Sequence, residues 1–220
     1  MTRLAIFDCD GTLVDSQATI CDAMEHCFAD AGLAAPDRAD VRRIVGLSLP
    51  QAMRALLPDS DDAHHHALAD AYKASFHQLR LEGRVEERLY DGIPQALAAM
   101  AADGWLLGVA TGKSDRGLKL VLDHHGLAHH FVTLQTADRH PSKPHPSMIE
   151  AALAEAGTDA ADTVMIGDTS FDMLMARNAG VRAIGVAWGY HEAAELVAAG
   201  ADAVARTAAE LPALCVKDIA

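Results

Sequence analysis

Short apolar runs, each ending at a polar residue or a glycine, recur along this chain and constrain its fold more than any other feature. The first run, 4–7, ends at Asp8, and a later run, 163–166, ends at Gly167. Three further runs of this kind cover residues 105–110, 131–134 and 183–187. Such runs are typical of parallel strands that are buried on both faces of a sheet.

Helical patterns separate these runs from residue 90 onward. They cover residues 94–102, 115–125, 146–156 and 171–179. Pro94 stands at a favoured first helical position, and Gly157 and Gly180 follow the ends of the last two segments. This alternation predicts an α/β fold, in which a Rossmann-like, doubly wound parallel sheet binds ligands at the carboxyl ends of its strands.

A run of four helical patterns interrupts this alternation near the start of the chain. The patterns cover residues 17–30, 38–45, 49–57 and 61–81. We therefore predict an α/β catalytic core of residues 1–15 and 89–220, with an all-helical cap of residues 16–88 inserted after the first strand. Inserted domains of this kind often cover an active site, and the junctions 15–16 and 88–94 are natural hinges. Residues 16–88 are called the helical insert below.

The charge of the chain disfavours several classes of partner. Eighteen basic and thirty-one acidic residues give a net charge of −13, which opposes binding to nucleic acid or to anionic membranes. No stretch approaches the roughly 20 apolar residues of a membrane helix, and Asp8 comes too early for a signal peptide. A cytoplasmic monomer or homodimer is therefore expected. The histidines 64–66 lack the spacing of metal ligands and are expected on the solvated surface.

Two acidic clusters follow apolar runs and predict a metal site. Asp8 and Asp10 flank one residue directly after the first run, and Gly11 lets the backbone turn closely around them. Asp168 and Asp172 follow a later run. Because the carboxyl ends of parallel strands meet at one edge of a sheet, the two clusters should lie together there. Their mutual repulsion favours neutralisation by a hard divalent cation.

Three further residues are candidates for binding a phosphate group. Thr111 and Gly112 follow another apolar run and supply a hydroxyl and backbone N–H groups. Lys143 precedes a proline at the start of a helical pattern, although a surface lysine in a loop is the alternative. A carboxylate nucleophile, a second carboxyl group, a metal, a hydroxyl and a lysine together fit phosphoryl transfer through an acyl phosphate.

These segments, taken in order, resemble the four motifs of the haloacid dehalogenase superfamily. The motifs read DCDGTLVDS at 8–16, TG at 111–112, KP at 143–144 and GDTSFDM at 167–173. The helical insert resembles the small helical cap of the superfamily, and the nearest subgroup is the phosphoglycolate phosphatase-like enzymes. The resemblance spans nearly the whole chain and implies a Mg²⁺-dependent phosphatase that acts on a small phosphorylated metabolite.

The resemblance also implies a role for each motif residue. Asp8 would attack phosphorus, while Asp10 would protonate the leaving oxygen and then activate water. Mg²⁺ would be bound by Asp8, the backbone carbonyl of Asp10 and Asp168. Asp172 would orient a metal-bound water or the lysine. The phosphate oxygens would be bound by residues of the second and third motifs, namely Thr111, Gly112 and Lys143.

Asp10 also separates the branches of the superfamily. A dehalogenase has no leaving oxygen to protonate and typically lacks this acid, and the phosphonate-cleaving branch typically carries alanine in its place. A phosphomutase of the β-phosphoglucomutase type shares the core machinery and stays open as an alternative. So does a non-catalytic binding module on the same fold.

Two features are candidates for the margin of the predicted cleft, and the one in the helical insert is also a candidate for recognising the leaving group. In the helical insert, Arg43 and Gly46 belong to a basic segment that ends in a flexible glycine, although a solvated helix surface explains the arginine equally well. After the last apolar run, three residues could line the cleft or simply pack against the core: Trp188, Tyr190 and His191.

Overall fold

Six parallel strands form the central sheet of the protein in the computed structural model, which describes residues 2–216. The strands within these residues are β1 (Arg3–Phe7), β2 (Val14–Asp15), β3 (Arg88–Leu89), β4 (Trp105–Thr111), β5 (Phe131–Thr136), β6 (Thr163–Gly167), β7 (Arg182–Val186) and β8 (Ala203–Ala205). The order across the sheet is β5-β4-β1-β6-β7-β8, so β1 lies between β4 and β6. The predicted doubly wound α/β fold is confirmed.

Ten α-helices accompany these strands within residues 2–216. They are α1 (Gln17–Asp30), α2 (Arg38–Arg43), α3 (Leu49–Leu56), α4 (Asp62–Leu81), α5 (Ile93–Ala102), α6 (Asp115–His124), α7 (Ser147–Ala156), α8 (Ser170–Ala179), α9 (Ala193–Ala198) and α10 (Leu211–Cys215). Among the helices of the described segment, none combines the length and apolar character that crossing a membrane requires.

The central strands are buried on both faces. In β1, Ala5 and Phe7 belong to one hydrophobic cluster, whereas Leu4 and Ile6 belong to a second. Helices α5, α6 and α10 contribute to the first cluster, and helices α7, α8 and α9 contribute to the second. Because alternate side chains of a strand point to opposite faces, the two clusters lie on opposite sides of the sheet.

Helices α1 to α4 of the helical insert form a third hydrophobic cluster of their own. Its buried members include Met24 and Phe28 of α1 and Leu68 and Leu79 of α4. The chain enters and leaves the insert through β2 and β3, which pair as a short antiparallel ribbon. Both connections between the insert and the sheet therefore run side by side.

The structure differs from the sequence-based expectations at the last elements and at one histidine. Strand β8 and helices α9 and α10 lie in an alanine-rich stretch whose pattern has no clear period. The expectation of a solvated histidine was wrong for His65, which is 2% exposed and whose Nε2 lies 2.9 Å from the carbonyl oxygen of Leu57. The cause is its spacing, since positions 65, 68, 69 and 72 share the buried face of α4.

Candidate active site

Three of the sequence motifs meet at the carboxyl edge of the sheet. Asp8 directly follows β1, Thr111 is the last residue of β4, and Asp168 directly follows β6. Since β1 pairs with both β4 and β6 in parallel, their ends lie next to one another. The strand order thus brings together motifs that are far apart in the chain, as expected for a ligand site in a sheet of this type.

Asp8 is a buried carboxylate beside a buried lysine. It is 1% exposed, and its Oδ1 lies 2.9 Å from Nζ of Lys143. The same ammonium group lies 2.6 Å from Oδ1 of Asp172. Burial raises the pKa of Asp8 to about 7, although the charge of Lys143 acts in the opposite direction. Burial alone would lower the pKa of Lys143, but the carboxylates of Asp172 and Asp8 raise it above its ordinary value.

Asp168 is completely buried, and both of its carboxylate oxygens accept hydrogen bonds. Its Oδ1 accepts from the hydroxyl of Thr12 at 2.8 Å, and its Oδ2 accepts from the backbone N–H of Tyr190 at 2.9 Å. Burial raises the pKa of Asp168, and the neighbouring carboxylates of Asp8 and Asp172 raise it further. A carboxylate in these surroundings is stabilised in its charged form by a cation.

A divalent cation fits this group of carboxylates. One oxygen from each of Asp8, Asp168 and Asp172 lies within 4.8 Å of the other two. The Oδ2 atom of Asp8 is buried and has no hydrogen-bond partner among residues 2–216. Carboxylate oxygens are the ligands that Mg²⁺ prefers, so the chemistry of the donor set suits that ion.

The side chain of Asp172 accepts more hydrogen bonds than the side chains of the other two carboxylates. Its Oδ2 accepts from the backbone N–H of Thr169 at 3.0 Å and from the hydroxyl of Thr169 at 2.7 Å. Its Oδ1 accepts from Lys143 at 2.6 Å. The contact at Oδ1 therefore joins Asp172 to the same lysine that lies beside Asp8.

Asp10 is held by a network that the sequence analysis did not anticipate. Its Oδ1 accepts from the hydroxyl of Ser16 at 2.5 Å and from Nζ of Lys113 at 2.7 Å. Lys113 also lies 3.0 Å from Oε1 of Glu87, and Glu87 Oε2 accepts from Arg80 at 2.6 Å. The carboxylates of Asp10 and Glu87 raise the pKa of Lys113 despite its burial, which alone would lower it. The network links the carboxyl edge of the core to the end of the helical insert.

The signals for this network differ in strength. Lys113 directly follows Thr111 and Gly112 in the chain. The sequence therefore indicated that this lysine lies near the predicted phosphate site. Glu87 lies near the end of the helical insert, in a short stretch rich in charged residues, and carried no comparable signal.

Two glycines allow the close approaches that this site requires. Gly11 has φ +86°, and a Cβ atom there would lie 2.1 Å from Oδ2 of Asp168. A Cβ atom on Gly112 would lie 2.6 Å from the carbonyl oxygens of Gly46 and Leu47. The first glycine lets the motif loop close on the acidic cluster, and the second brings the core against the backbone of the helical insert.

Residues that follow β7 contact the motif loops. Trp188 Nε1 donates to the carbonyl oxygen of Thr12 at 3.2 Å, and the Tyr190 hydroxyl lies 3.3 Å from the hydroxyl of Ser16. His191 Nδ1 accepts from a backbone N–H at the start of α8 at 3.1 Å. Its Nε2 therefore carries the ring proton, and it lies 3.3 Å from the carbonyl oxygen of Arg43.

The two predicted residues of the helical insert are placed differently. Gly46 lines the cavity that contains Asp8. The guanidinium group of Arg43 is exposed and lies 2.8 Å from Glu195 of α9. The structure therefore brings Gly46 to the carboxylate site, whereas the Arg43 side chain pairs with the surface of the core.

A cavity of about 370 Å³ lies between the core and the helical insert. The core side contributes the motif residues Asp8, Asp10, Thr111 and Gly112. The insert side contributes mainly apolar side chains from α1, α3, α4 and the segment 44–47. The buried carboxylates thus stand at one end of a space large enough for a small organic ligand.

The fold and this site define a hydrolase, and comparison with known proteins identifies the family. The chain belongs to the haloacid dehalogenase-like hydrolase family, whose model matches residues 5–186. It is 37% identical over 214 residues to the "Probable phosphatase IndB" of Dickeya dadantii (strain 3937), with 96% of this chain and 92% of that protein covered.

Two further similarities point to the same class of enzyme. The chain is 34% identical over 196 residues to a "Phosphoglycolate phosphatase" of Agrobacterium fabrum, with 86% of this chain and 82% of that protein covered. The crystal structure of a predicted phosphatase from Clostridium acetobutylicum superposes with a TM-score of 0.87 at 26% identity, covering 97% of this chain and 98% of the other. The prediction of an enzyme of this phosphatase class is confirmed.

Proposed function

We propose that this protein is a Mg²⁺-dependent phosphatase that hydrolyses a small phosphomonoester through an aspartyl phosphate on Asp8. The observation that carries the proposal is the environment of this carboxylate. Asp8 lines the cavity, lies 2.9 Å from the buried ammonium group of Lys143, and keeps an oxygen without a hydrogen-bond partner among residues 2–216. Such a carboxylate can attack phosphorus while the adjacent cation attracts the phosphate.

The first step transfers the phosphoryl group to the protein. An oxygen of Asp8 forms a bond to phosphorus as the bond between phosphorus and the ester oxygen breaks. Asp10, held by Ser16 and Lys113, gives its proton to the departing alcohol. Lys143 and the hydroxyl and backbone groups of Thr111 and Gly112 bind the phosphate oxygens, on which charge accumulates.

The second step returns the protein to its starting state. Asp10, now a carboxylate, takes a proton from a water molecule that attacks phosphorus. The bond between phosphorus and Asp8 breaks, and inorganic phosphate leaves. The proton that Asp10 gives to the alcohol in the first step is thus replaced by a proton from water in the second.

Mg²⁺ would be held by Asp8, the backbone carbonyl of Asp10 and Asp168, while Asp172 positions Lys143. When bound, the ion supplies positive charge that neutralises the acidic cluster and the phosphate. Residues 1–15 and 89–220 act in this proposal as the catalytic core, and residues 16–88 act as the cap. A cytoplasmic location and a monomeric or homodimeric state remain predictions from the sequence.

Hydrolysis of p-nitrophenyl phosphate tests the proposal. We expect release of p-nitrophenol with Mg²⁺, loss of that release with a chelator, and recovery when Mg²⁺ is returned. Asp8→Asn should abolish turnover, because an amide cannot form the acyl phosphate. In rapidly quenched samples, intact-mass analysis should find one added phosphoryl group on the unmodified protein and none on Asp8→Asn.

Other outcomes would separate the alternatives. Activity that survives Asp8→Asn excludes this residue as the nucleophile. Slow release of phosphate together with stimulation by a bisphosphorylated sugar would indicate a phosphomutase. Absence of both turnover and phosphorylation would indicate a binding module on the same fold.

A further inference from the structure

The wall that the helical insert presents to the cavity is largely apolar. Its side chains include Ile20 and Met24 of α1, Leu47 and Leu49 near the start of α3, and Tyr72 and Phe76 of α4. The rings of Tyr72 and Phe76 lie with centroids 6.0 Å apart at an angle of 47°. A wall of this composition gains free energy by covering apolar surface of a ligand.

The volume of the cavity exceeds what a short substrate would fill. Cavities of about 300–1,000 Å³ with mainly apolar and aromatic lining typically bind drug-sized organic ligands. This cavity has about 370 Å³. In the proposed function, the phosphate group would occupy only the part beside Asp8 and Thr111. A short acid such as glycolate would leave most of the apolar wall in contact with water.

The two least exposed cations that line the cavity already have carboxylate partners. Lys113 lies 2.7 Å from Asp10 and 3.0 Å from Glu87. Arg80 lies 2.6 Å from Glu87. The other basic side chains that line the cavity, Lys73 and His77 of α4 and Arg116 of α6, are exposed, so water and salt screen their charge. A carboxylate on the leaving group would therefore lie beside groups whose charge is already balanced or screened.

Tyr72 offers a polar group to a ligand instead. The residue is 8% exposed and lines the cavity, and its hydroxyl has no hydrogen-bond partner among residues 2–216. Burial raises the pKa of this phenol above its ordinary value, so the hydroxyl stays neutral. It suits an uncharged polar atom in an otherwise apolar ligand.

We infer that the leaving group of the substrate is an uncharged alcohol that carries a ring, and not a short carboxylic acid. This inference rests on the proposed phosphatase activity and adds to it the class of alcohol released. The ring would lie against Tyr72 and Phe76, while the phosphate lies at Asp8.

A matched series of esters tests the inference. Ethyl phosphate, 2-phenylethyl phosphate and phosphoglycolate all release a primary alkyl alcohol, so they differ in the group beyond the ester and little in chemical reactivity. We expect kcat/KM for 2-phenylethyl phosphate to exceed that for each of the other two by at least about tenfold, the effect of burying an aromatic side group.

Two variants test whether the insert wall causes this preference. Phe76→Ala and Leu49→Ala should each lower the ratio of kcat/KM for 2-phenylethyl phosphate over ethyl phosphate, by about tenfold for Phe76→Ala. Leu81→Ala removes an exposed side chain, 69% accessible, from the end of the same helix as Phe76 and should keep the wild-type ratio. Thermal unfolding of each variant shows whether the insert remains folded.

The possible results separate this inference from the proposed function. Preference for phosphoglycolate, or an unchanged ester ratio in folded Phe76→Ala and Leu49→Ala, overturns the inference and leaves the phosphatase activity standing. Failure to hydrolyse every ester, together with p-nitrophenyl phosphate, overturns both.

Discussion

The two sides of the cavity between the core and the helical insert present opposite chemistry. On the core side, Asp8, Asp10 and Lys113 are ionisable, shielded from most of the solvent and held by partners at hydrogen-bond distance. On the insert side, residues such as Met24 and Phe76 are apolar, and Tyr72 has a hydroxyl without a partner in the described segment. In the proposed function, the core side binds the reacting phosphate group, whereas the insert side contacts the alcohol.

The difference follows from how each side is built. The polar motif residues on the core side come from the ends of β1 and β4, which the sheet holds in a fixed register. Apolar residues on the insert side come from the helices of the insert, and several of them, such as Met24 and Tyr72, also belong to the insert's own hydrophobic cluster. Substitutions on the core side should therefore change the rate for all esters, and substitutions on the insert side should change their ratio.

Among the substitutions that compare the two sides of the cavity, Asp10→Asn should have the largest effect on activity. An amide can still accept the hydrogen bond of Ser16, but it cannot give or take a proton at neutral pH. We expect kcat/KM for ethyl phosphate and for 2-phenylethyl phosphate to fall together by about 10³-fold, within the range for loss of a general acid. Steady-state kinetics with both esters measures this.

Asp15→Asn is the matched control, because Asp15 lies in the same motif but is exposed in β2. It should leave both rates close to the wild type. If Asp10→Asn changed the ratio of kcat/KM for 2-phenylethyl phosphate over ethyl phosphate, the core side would also affect the choice of alcohol. That result would contradict the division of roles between the two sides of the cavity.

A second large effect should appear in stability, from Lys143→Met. The substitution keeps the length of the side chain and leaves Asp8 and Asp172 without their cation. Removing one partner of a buried ion pair typically costs about 3–5 kcal/mol, so the free energy of unfolding should fall by that amount. Urea denaturation followed by circular dichroism measures the change.

Arg43→Met provides the contrast, since it removes an exposed ion pair between the insert and α9. Its effect on the free energy of unfolding should be much smaller, because water already solvates and screens that pair. Equal losses in the two variants would show that the buried lysine does not hold the carboxylate cluster.

Lys113→Met should have a smaller effect on activity. The substitution alters the hydrogen-bond network that joins the core to the helical insert. Asp10 would keep its bond to Ser16 but lose the cation that lies 2.7 Å away. We expect kcat to fall about tenfold for all three esters through misplacement of the acid, with less change in KM.

Lys119→Met is the control for Lys113→Met, because Lys119 is exposed on α6 and pairs with Asp123 at 2.5 Å. It should keep the wild-type kcat. If Lys113→Met also keeps it, the lysine does not position Asp10.

Much of the fold could be predicted because its signals are local. The apolar run before Asp8 and the helical spacing in 61–81 depend on neighbouring residues, and the observed β1 and α4 agree with them within one residue. Strand β8 could not be predicted in this way, since three residues of alanine-rich sequence carry no period.

Only part of the candidate site could be predicted from the sequence, because only part of it depends on local signals. Asp8, Thr111 and Asp168 each follow a recognisable strand, so their meeting at one edge follows from the parallel sheet. Glu87 reaches the site through Lys113 and not through a strand end, and Arg43 pairs with Glu195, 152 positions away. Contacts of this kind depend on how the insert is placed against the core.

The amino-acid sequence by itself determined the type of each main element and the acidic motifs at the strand ends, because hydrophobic spacing acts over a few residues. Only the tertiary structure decided which charges are neighbours. Thr12 meets Asp168 across 156 positions, and Lys113 meets Asp10 across 103. Distances between such groups are set by strand order, burial and the packing of the helical insert, which act between distant parts of the chain.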